Sequence, residues 1–347
     1  MQGGIEISGL SPIVIPVFVS HLGCPHRCIF CDQTQFSEPV APERIPDIVS
    51  TFIAGCREPQ LRQRVIAFYG GSFTGIEPGL LERYLAEALR LVEHGAVHGI
   101  KASTRPDMVT PELLARCRRA GFVEMEIGIQ SMDERVLKAS RRGHSASDAV
   151  RAAQAVRDSG MKLGIQLMPG LPGEDRESFR RTVCDAARLR PDHIRLYPAV
   201  VVKGTEMERM HQAGAYAPLD LDEAVRRCLY GYARFSGQGC TVLRMGLPPS
   251  RTLQVAAGPY HPAFGFLVKA RGYRVMASVL KERFGDELDL EVHPDSVPEL
   301  IGYRKENIDE LGFNYSFDER LPRDCVQVRG AVERGCLQLK DIIEYIL

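Results

Sequence analysis

The chain lacks a long hydrophobic run, a net charge and any basic segment leading into an apolar core at its start. Its most apolar early stretch, Ile13 to Val19, contains Pro16 and is far too short to span a bilayer, so no membrane helix is expected. Met1 to Leu10 do not have the charged-then-apolar order of a secretion signal, and a cytoplasmic protein is the expectation. The 44 Lys plus Arg are cancelled by 44 Asp plus Glu. That balance argues against a chain coated for nucleic acid, while leaving room for a local basic face. No internal repeat or low-complexity tract occurs. Gly70-Gly71 is not followed by the Gly-Lys-Ser/Thr of a phosphate-binding loop. What is present is an ordinary globular composition: 347 residues, 44% of them apolar, enough for one large or two modest domains.

Strand and helix patterns alternate along most of the chain. Strands are expected at Pro12 to Ser20, Arg64 to Tyr69, Gly99 to Thr104, Phe122 to Ile129, Met161 to Leu167 and His193 to Tyr197. Helices are expected between them, near Glu43 to Cys56, Gly79 to Glu93, Pro111 to Ala120, Asp133 to Ala139, Ser147 to Ser159 and Asp175 to Leu189. Such units build a parallel sheet with right-handed crossovers. Inside the strands one face is polar: Lys101, Ser103 and Arg105; Glu124, Glu126 and Gln130; Lys162 and Gln166; His193, Arg195 and Tyr197. A strand covered by helices on both faces would be apolar throughout. The pattern therefore favours an α/β fold of the partial (β/α)6 TIM-type barrel, whose polar lumen takes a ligand. Residues 1–245 form this barrel in the expected division. The remaining 246–347 form a smaller C-terminal α/β segment, a lid or a substrate-recognition part. It has helices at Phe266 to Phe284 and Val297 to Leu311, strands at Leu288 to His293 and Cys325 to Arg329, and a terminal helix. A long amphipathic helix around Leu221 to Phe235 and a short strand, Cys240 to Leu243, precede it.

Ten cysteines without an export signal point to reduced thiols. Seven are scattered and read as small buried hydrophobes. Three are crowded into one loop: Cys24-Pro-His-Arg-Cys28-Ile-Phe-Cys31. Thiolates at this density bind a soft metal centre. His21 or His26 would have to complete a zinc site, which takes four ligands. The three alone suit three irons of a [4Fe–4S] cluster, with one iron left open for a ligand.

This loop resembles the cluster motif of the radical S-adenosylmethionine (SAM) superfamily. Further stretches resemble that superfamily in order, each at the C-terminal end of an expected strand. They are Tyr69-Gly-Gly-Ser-Phe73, Ser103-Thr-Arg-Pro-Asp107, Glu126-Ile-Gly-Ile-Gln-Ser131, Arg141-Arg-Gly-His144, Met168-Pro-Gly-Leu-Pro-Gly173 and Tyr197 to Thr205. They are similar to the branch holding the elongator catalytic subunit and the oxygen-independent coproporphyrinogen oxidases. The resemblance covers roughly Pro12 to Met245. It implies Cys24, Cys28 and Cys31 as cluster ligands, SAM on the open iron, and reductive cleavage of SAM to a 5′-deoxyadenosyl radical. It also implies Phe30 beside the adenine, and Gly70 and Gly71 at the SAM ammonium. Ser72 stands where the family often has Glu. Gln130 and Arg142 are implied at the ribose and the carboxylate, with Ser103 and Gln166 near the ribose. An electron donor such as flavodoxin or ferredoxin is implied as partner.

The substrate stays open between RNA or another nucleotide and a small tetrapyrrole-like or lipid-like molecule. From another class, the alternative is a non-catalytic iron–sulfur or zinc module. No acyl-CoA loop is evident, and about a hundred residues after the barrel are too few for the acetyltransferase domain of elongator-type members. The arginines Arg116, Arg118 and Arg119, and Arg180 and Arg181, read as solvated helix faces. Pro259 to Pro262 with Phe264 reads equally as a connector or as a flap over the barrel mouth.

Overall fold

The computed structural model describes residues 11–35, 37–250, 252–330 and 335–346; the expectation for Met1 to Leu10 falls outside the described residues. The first elements are β1 (Ile13–Phe18), α1 (Ile45–Ala54), β2 (Arg64–Tyr69), α2 (Pro78–Glu93), β3 (Gly99–Thr104), α3 (Pro111–Arg119) and β4 (Phe122–Gln130). Next come α4 (Glu134–Ala139), α5 (Ala146–Asp158), β5 (Lys162–Leu167), α6 (Arg176–Arg188), β6 (His193–Leu196), β7 (Val201–Val202), α7 (Glu206–Gln212), α8 (Leu221–Ser236) and β8 (Thr241–Met245). Local chemistry sets several helix starts. The Glu77 carboxylate accepts from the first amides of α2, and Ser145 with Asp148 and Asp175 with Ser178 form reciprocal caps on α5 and α6.

One sheet takes seven strands in the order β1-β2-β3-β4-β5-β6-β8. The pairs β1–β2, β2–β3, β3–β4 and β6–β8 are parallel. β1 is an edge strand, which is why Pro16 inside it is tolerated. The α/β partial-barrel class is as expected, but the sheet has one strand more than the six read from the sequence. The seventh strand is β8, the short strand expected at Cys240 to Leu243; it has no buried face of its own, so its pattern gives no sign that it joins this sheet, where α8 serves as its crossover.

The C-terminal elements are β9 (Val255–Ala257), α9 (Phe264–Phe284), β10 (Asp289–Val292), α10 (Val297–Ile301), α11 (Glu306–Leu311), β11 (Asn314–Phe317), β12 (Cys325–Val328) and β13 (Cys336–Gln338). A second sheet runs β11-β10-β12-β13, and β9 pairs antiparallel with β7. The single helix expected over Val297 to Leu311 is broken in two. Gly302, Arg304 and Lys305 all take positive φ, and the buried Asn307 side chain packs on Gly302 where a Cβ would stand. Its amide nitrogen lies 3.0–3.2 Å from the carbonyls of Ala270, Glu299 and Leu300, occupying backbone acceptors left by the break. The expected terminal helix is a 3-10 turn, Leu339–Tyr345. The strands β7, β9, β11 and β13 and the helix α7, all of them short, are not anticipated by any residue pattern.

By compactness the chain divides into two units. The first holds the described residues through Gln130 with 137–166 and 250–254; the second holds 131–136, 167–249 and 255 onward. The core of the first includes an aromatic cluster in which Phe68 and Phe73 stack at 4.5 Å, with Phe122 and Tyr84 around them. Aromatic pairs of this kind contribute about 0.5–1.5 kcal/mol beyond their buried area. In the second unit Glu223, in the first turn of α8, joins two helices. It accepts from Arg176 at the start of α6 at 2.8 and 2.6 Å and from Arg227 at 3.0 Å.

The Arg176 guanidinium, aided by Arg227, holds the Glu223 carboxyl down at about 2, against 4.5 ordinarily. A carboxylate whose folded value is depressed stabilises the fold above its unfolded value and loses that contribution as pH falls toward the folded one. Glu223→Gln should therefore lower stability at neutral pH by about 1 kcal/mol, since the exposed Arg176 is screened by water. Denaturant unfolding should show the difference from the parent chain shrinking between about pH 4.5 and pH 2. A difference that does not change with pH would disprove the assignment.

Candidate functional site

The site is assembled inside the first unit, on the loop after β1. That loop is closed by a reciprocal clamp. The His21 amide donates to Gln33 Oε1 and the Gln33 amide to His21 Nε2, both at 2.9 Å. All three clustered cysteines, Cys24, Cys28 and Cys31, lie between the two clamp residues. The loop is seated on the turn after β2, where the His21 amide also reaches the Gly70 carbonyl and the Ser72 amide donates to the Leu22 carbonyl, each at 2.9 Å. Glycine is needed here for two reasons. Gly70 has φ +90, and a Cβ on Gly71 would run into the carbonyl oxygens of Val19 and Leu22. The buried Phe73 anchors the turn in the aromatic core. Gly143 plays the matching part in Arg141-Arg-Gly-His144: at φ +74 it leaves the space that the His26 ring fills.

Cys28 is buried, and Cys24 and Cys31 are half-buried. The three thiols act on one another. Burial and then Cys28 and Cys24 push Cys31 up to about 12, while burial and Cys28 raise Cys24, with Arg105 and Arg142 pulling it back. Both arginines are buried and both aim at one sulfur. Arg142 Nη1 is 3.1 Å and Arg105 Nη1 3.9 Å from Cys28 Sγ. Arg142 Nη2 also donates to the Gly128 carbonyl at 2.6 Å, and its Nε has no partner. Arg105 is paired through two nitrogens with Asp107 at 3.0 and 3.1 Å, and donates to the Arg142 carbonyl. Nearby, the buried His144 is held down at about 3, by burial first and then by the two guanidinium charges. It is neutral at physiological pH, in a pocket of positive potential.

The remaining predicted residues form a hydrogen-bonded row on β3, β4 and β5. Ser103 Oγ donates to Glu126 Oε1 at 3.1 Å, Gln166 Nε2 donates to the same oxygen, and Gln130 Nε2 donates to Gln166 Oε1 at 3.4 Å. Gln130 has φ +69, a conformation that costs a residue with a Cβ on the order of 1 kcal/mol, and its Oε1 is buried without a partner. Ser72 is fully buried with its hydroxyl committed to Thr104 Oγ1 at 3.0 Å and to the Arg105 amide at 3.2 Å. Phe30 is half-buried in the cysteine loop. Below the row, Lys101 and Glu124 form a buried ion pair at 3.8 Å. Lys162 is exposed, and in the second unit Arg195 donates to Tyr197 Oη at 3.3 Å. The surface arginines are engaged as a solvated face requires: Arg116 with Glu82, Arg118 with the Phe122 carbonyl, Arg181 with Glu177 and Asp133. Phe264, read as part of a flap, is buried and opens α9, packed where Gly246 has no Cβ.

Sequence reasoning missed the His21–Gln33 clamp, which has no motif, and the contact of Arg105 with a cysteine. The strand pattern puts Arg105 on the face lining the lumen, although its spacing to Asp107 is a signal that its charge is paired.

This donor set fits a cluster better than a lone ion. His21 Nε2 is already taken by Gln33. A four-iron cube takes its thiolates at separate corners, and two buried cations offset the charge those thiolates bring.

The chain matches the family model described as the radical SAM superfamily over residues 19–185, and that of the radical SAM C-terminal domain over 191–274. It belongs to the radical SAM superfamily. Members of this enzyme superfamily use a [4Fe–4S] cluster and SAM. Similar curated proteins include a tRNA uridine(34) acetyltransferase of Methanocaldococcus infernus, 27% identical over 271 residues, 65% of this chain and 49% of the relative. Another is the heme chaperone HemW of Mycobacterium tuberculosis, 29% identical, covering 69% of this chain and 64% of that protein. Among solved structures, the archaeal Elp3 of Methanocaldococcus infernus with an N-terminal deletion has a TM-score of 0.59 at 21% identity, over 74% of this chain and 62% of the other. The radical SAM chain thus shares that fold, and it spans about half the length of the acetyltransferase it matches. No helix among the described residues is long and apolar enough to cross a membrane.

Gly71→Ala should be more damaging than most glycine changes on this chain, because backbone oxygens cannot move aside as side chains do. A stability loss of about 1–3 kcal/mol or more is expected, together with loss of iron uptake. Thermal unfolding and iron analysis of the variant check both. A stable variant with normal iron would show that the loop does not depend on this turn.

Proposed function

We propose that Cys24, Cys28 and Cys31 hold three irons of a [4Fe–4S] cluster, that the fourth iron takes SAM, and that the substrate is a nucleotide within RNA. What supports the first part is one arrangement: three mutually interacting thiols on a clamped loop, seated on the Gly70–Gly71 turn and faced by two buried guanidinium groups. The cluster and SAM together supply one-electron chemistry, cleaving SAM to methionine and a 5′-deoxyadenosyl radical that takes hydrogen from the substrate.

The chain's own residues bind and orient. Gly70 and Gly71 bring backbone close to the SAM ammonium. The unpartnered Arg142 Nε is a free donor for the carboxylate, and the unpartnered Gln130 Oε1 an acceptor for a ribose hydroxyl. Phe30 stands beside the adenine. Ser103 and Gln166 act at the ribose through Glu126, which fixes them. The Ser72 hydroxyl is already satisfied, so it contributes less than a Glu would. Flavodoxin or ferredoxin supplies the electron, and residues 246–347 take part in substrate recognition. The RNA substrate is supported by the name of the tRNA-modifying relative. A tetrapyrrole-like small molecule is the second reading, supported by the heme chaperone relative.

Anaerobic reconstitution should give about four iron and four sulfide per chain, lost in Cys24→Ala, Cys28→Ala or Cys31→Ala. With a strong reductant and SAM, the loaded chain should release 5′-deoxyadenosine; colourless protein containing zinc would refute the cluster assignment. For the substrate, transfer RNA should bind with an affinity that falls about tenfold or more between 50 and 200 mM salt, which a filter-binding titration reads. Absent or salt-insensitive binding, with tetrapyrrole binding in its place, would decide for the second reading.

A further inference from the structure

Arg105 is the least expected member of the site. The residue is 3% exposed, and its guanidinium contacts lead to the cysteine loop or to its supports. Asp107 fixes the guanidinium plane through two hydrogen bonds, the Arg142 carbonyl takes a third, and the remaining nitrogen faces Cys28 Sγ at 3.9 Å. A planar fork tied at two nitrogens has no freedom to turn toward a substrate. Arg142, also facing Cys28, still has an unpartnered nitrogen for another ligand; Arg105 does not.

We infer that the Arg105–Asp107 pair is a positioning and charge-setting device for the cluster corner held by Cys28, and sets how readily the cluster accepts its electron. The inference rests on the cluster reading above and deepens it. A [4Fe–4S] cluster at the 2+ level with three thiolates carries one net negative charge. One electron from the donor, with no bond made or broken, takes it to two. A donor aimed at a ligating sulfur stabilises the more negative state, so Arg105 favours reduction. Asp107 opposes this by neutralising part of the guanidinium charge while holding its direction. The two residues therefore act with opposite sign on the same quantity, which a merely structural pair would not do.

The test is a redox titration of reconstituted protein followed by electron paramagnetic resonance, in the parent chain and in Arg105→Met, Arg105→Lys and Asp107→Asn. The midpoint potential should fall in Arg105→Met, fall less in Arg105→Lys, which keeps the charge but not the fork, and rise in Asp107→Asn. Should Arg105→Met fail to take up iron, the Lys and Asn variants decide, and their potentials must lie on opposite sides of the parent value. Variants that load normally and titrate at the parent potential would overturn the inference while leaving the cluster reading intact, as would shifts of one sign in all of them. A parent chain that takes up no iron would overturn both.

Discussion

A guanidinium taken out of water needs a negative charge beside it, and Arg142 has no carboxylate partner among the described residues. Its hydrogen bonds go to a carbonyl and a cysteine sulfur. Arg105, next to it, is only partly offset by Asp107. Burying uncompensated charge costs several kcal/mol, which a folded chain tolerates where an anionic group belongs. The cluster proposed for Cys24, Cys28 and Cys31 answers that requirement. The loop clamp, the glycine turn and the neutral His144 are all arranged around the same excess of positive charge.

The scaffold holds this excess in place by steric means. The turn after β2 and the loop after β1 come together because Gly70 and Gly71 have no Cβ, and Phe73 keeps the turn from moving by sitting in an aromatic core. Gly143 admits the His26 ring by the same device. Motif glycines in this chain thus serve contacts between backbone segments. Any benefit to a bound ligand follows from that fit. Along the strands, Glu126 gathers Ser103 and Gln166, and Gln130 is held in a left-handed conformation at the end of β4. The polar side chains of this row are therefore ordered by one another.

Much of this was legible beforehand. The alternation of strands and helices through β6 is local, written in periods of two and 3.6, and the boundaries differ by only one or two residues. The three cysteines stand out in the sequence because thiols crowded into eight residues have few structural explanations. Other features were not. The strand at β8 was expected, but that it would extend the main sheet was not, since it has no alternation of its own and its place depends on the edge that β6 offers. The break between α10 and α11 depends on Asn307 reaching carbonyls from two other segments.

The amino-acid sequence by itself determined the class of fold and singled out the three crowded cysteines, because secondary-structure periodicity and residue spacing are properties of neighbours along the chain. Only the tertiary structure decided where the charges go. Cys28 and Arg105 are 77 positions apart, and Cys28 and Arg142 114. Coulomb and hydrogen-bond forces act over a few ångströms of space, a distance that exists only once the strands have placed their ends side by side.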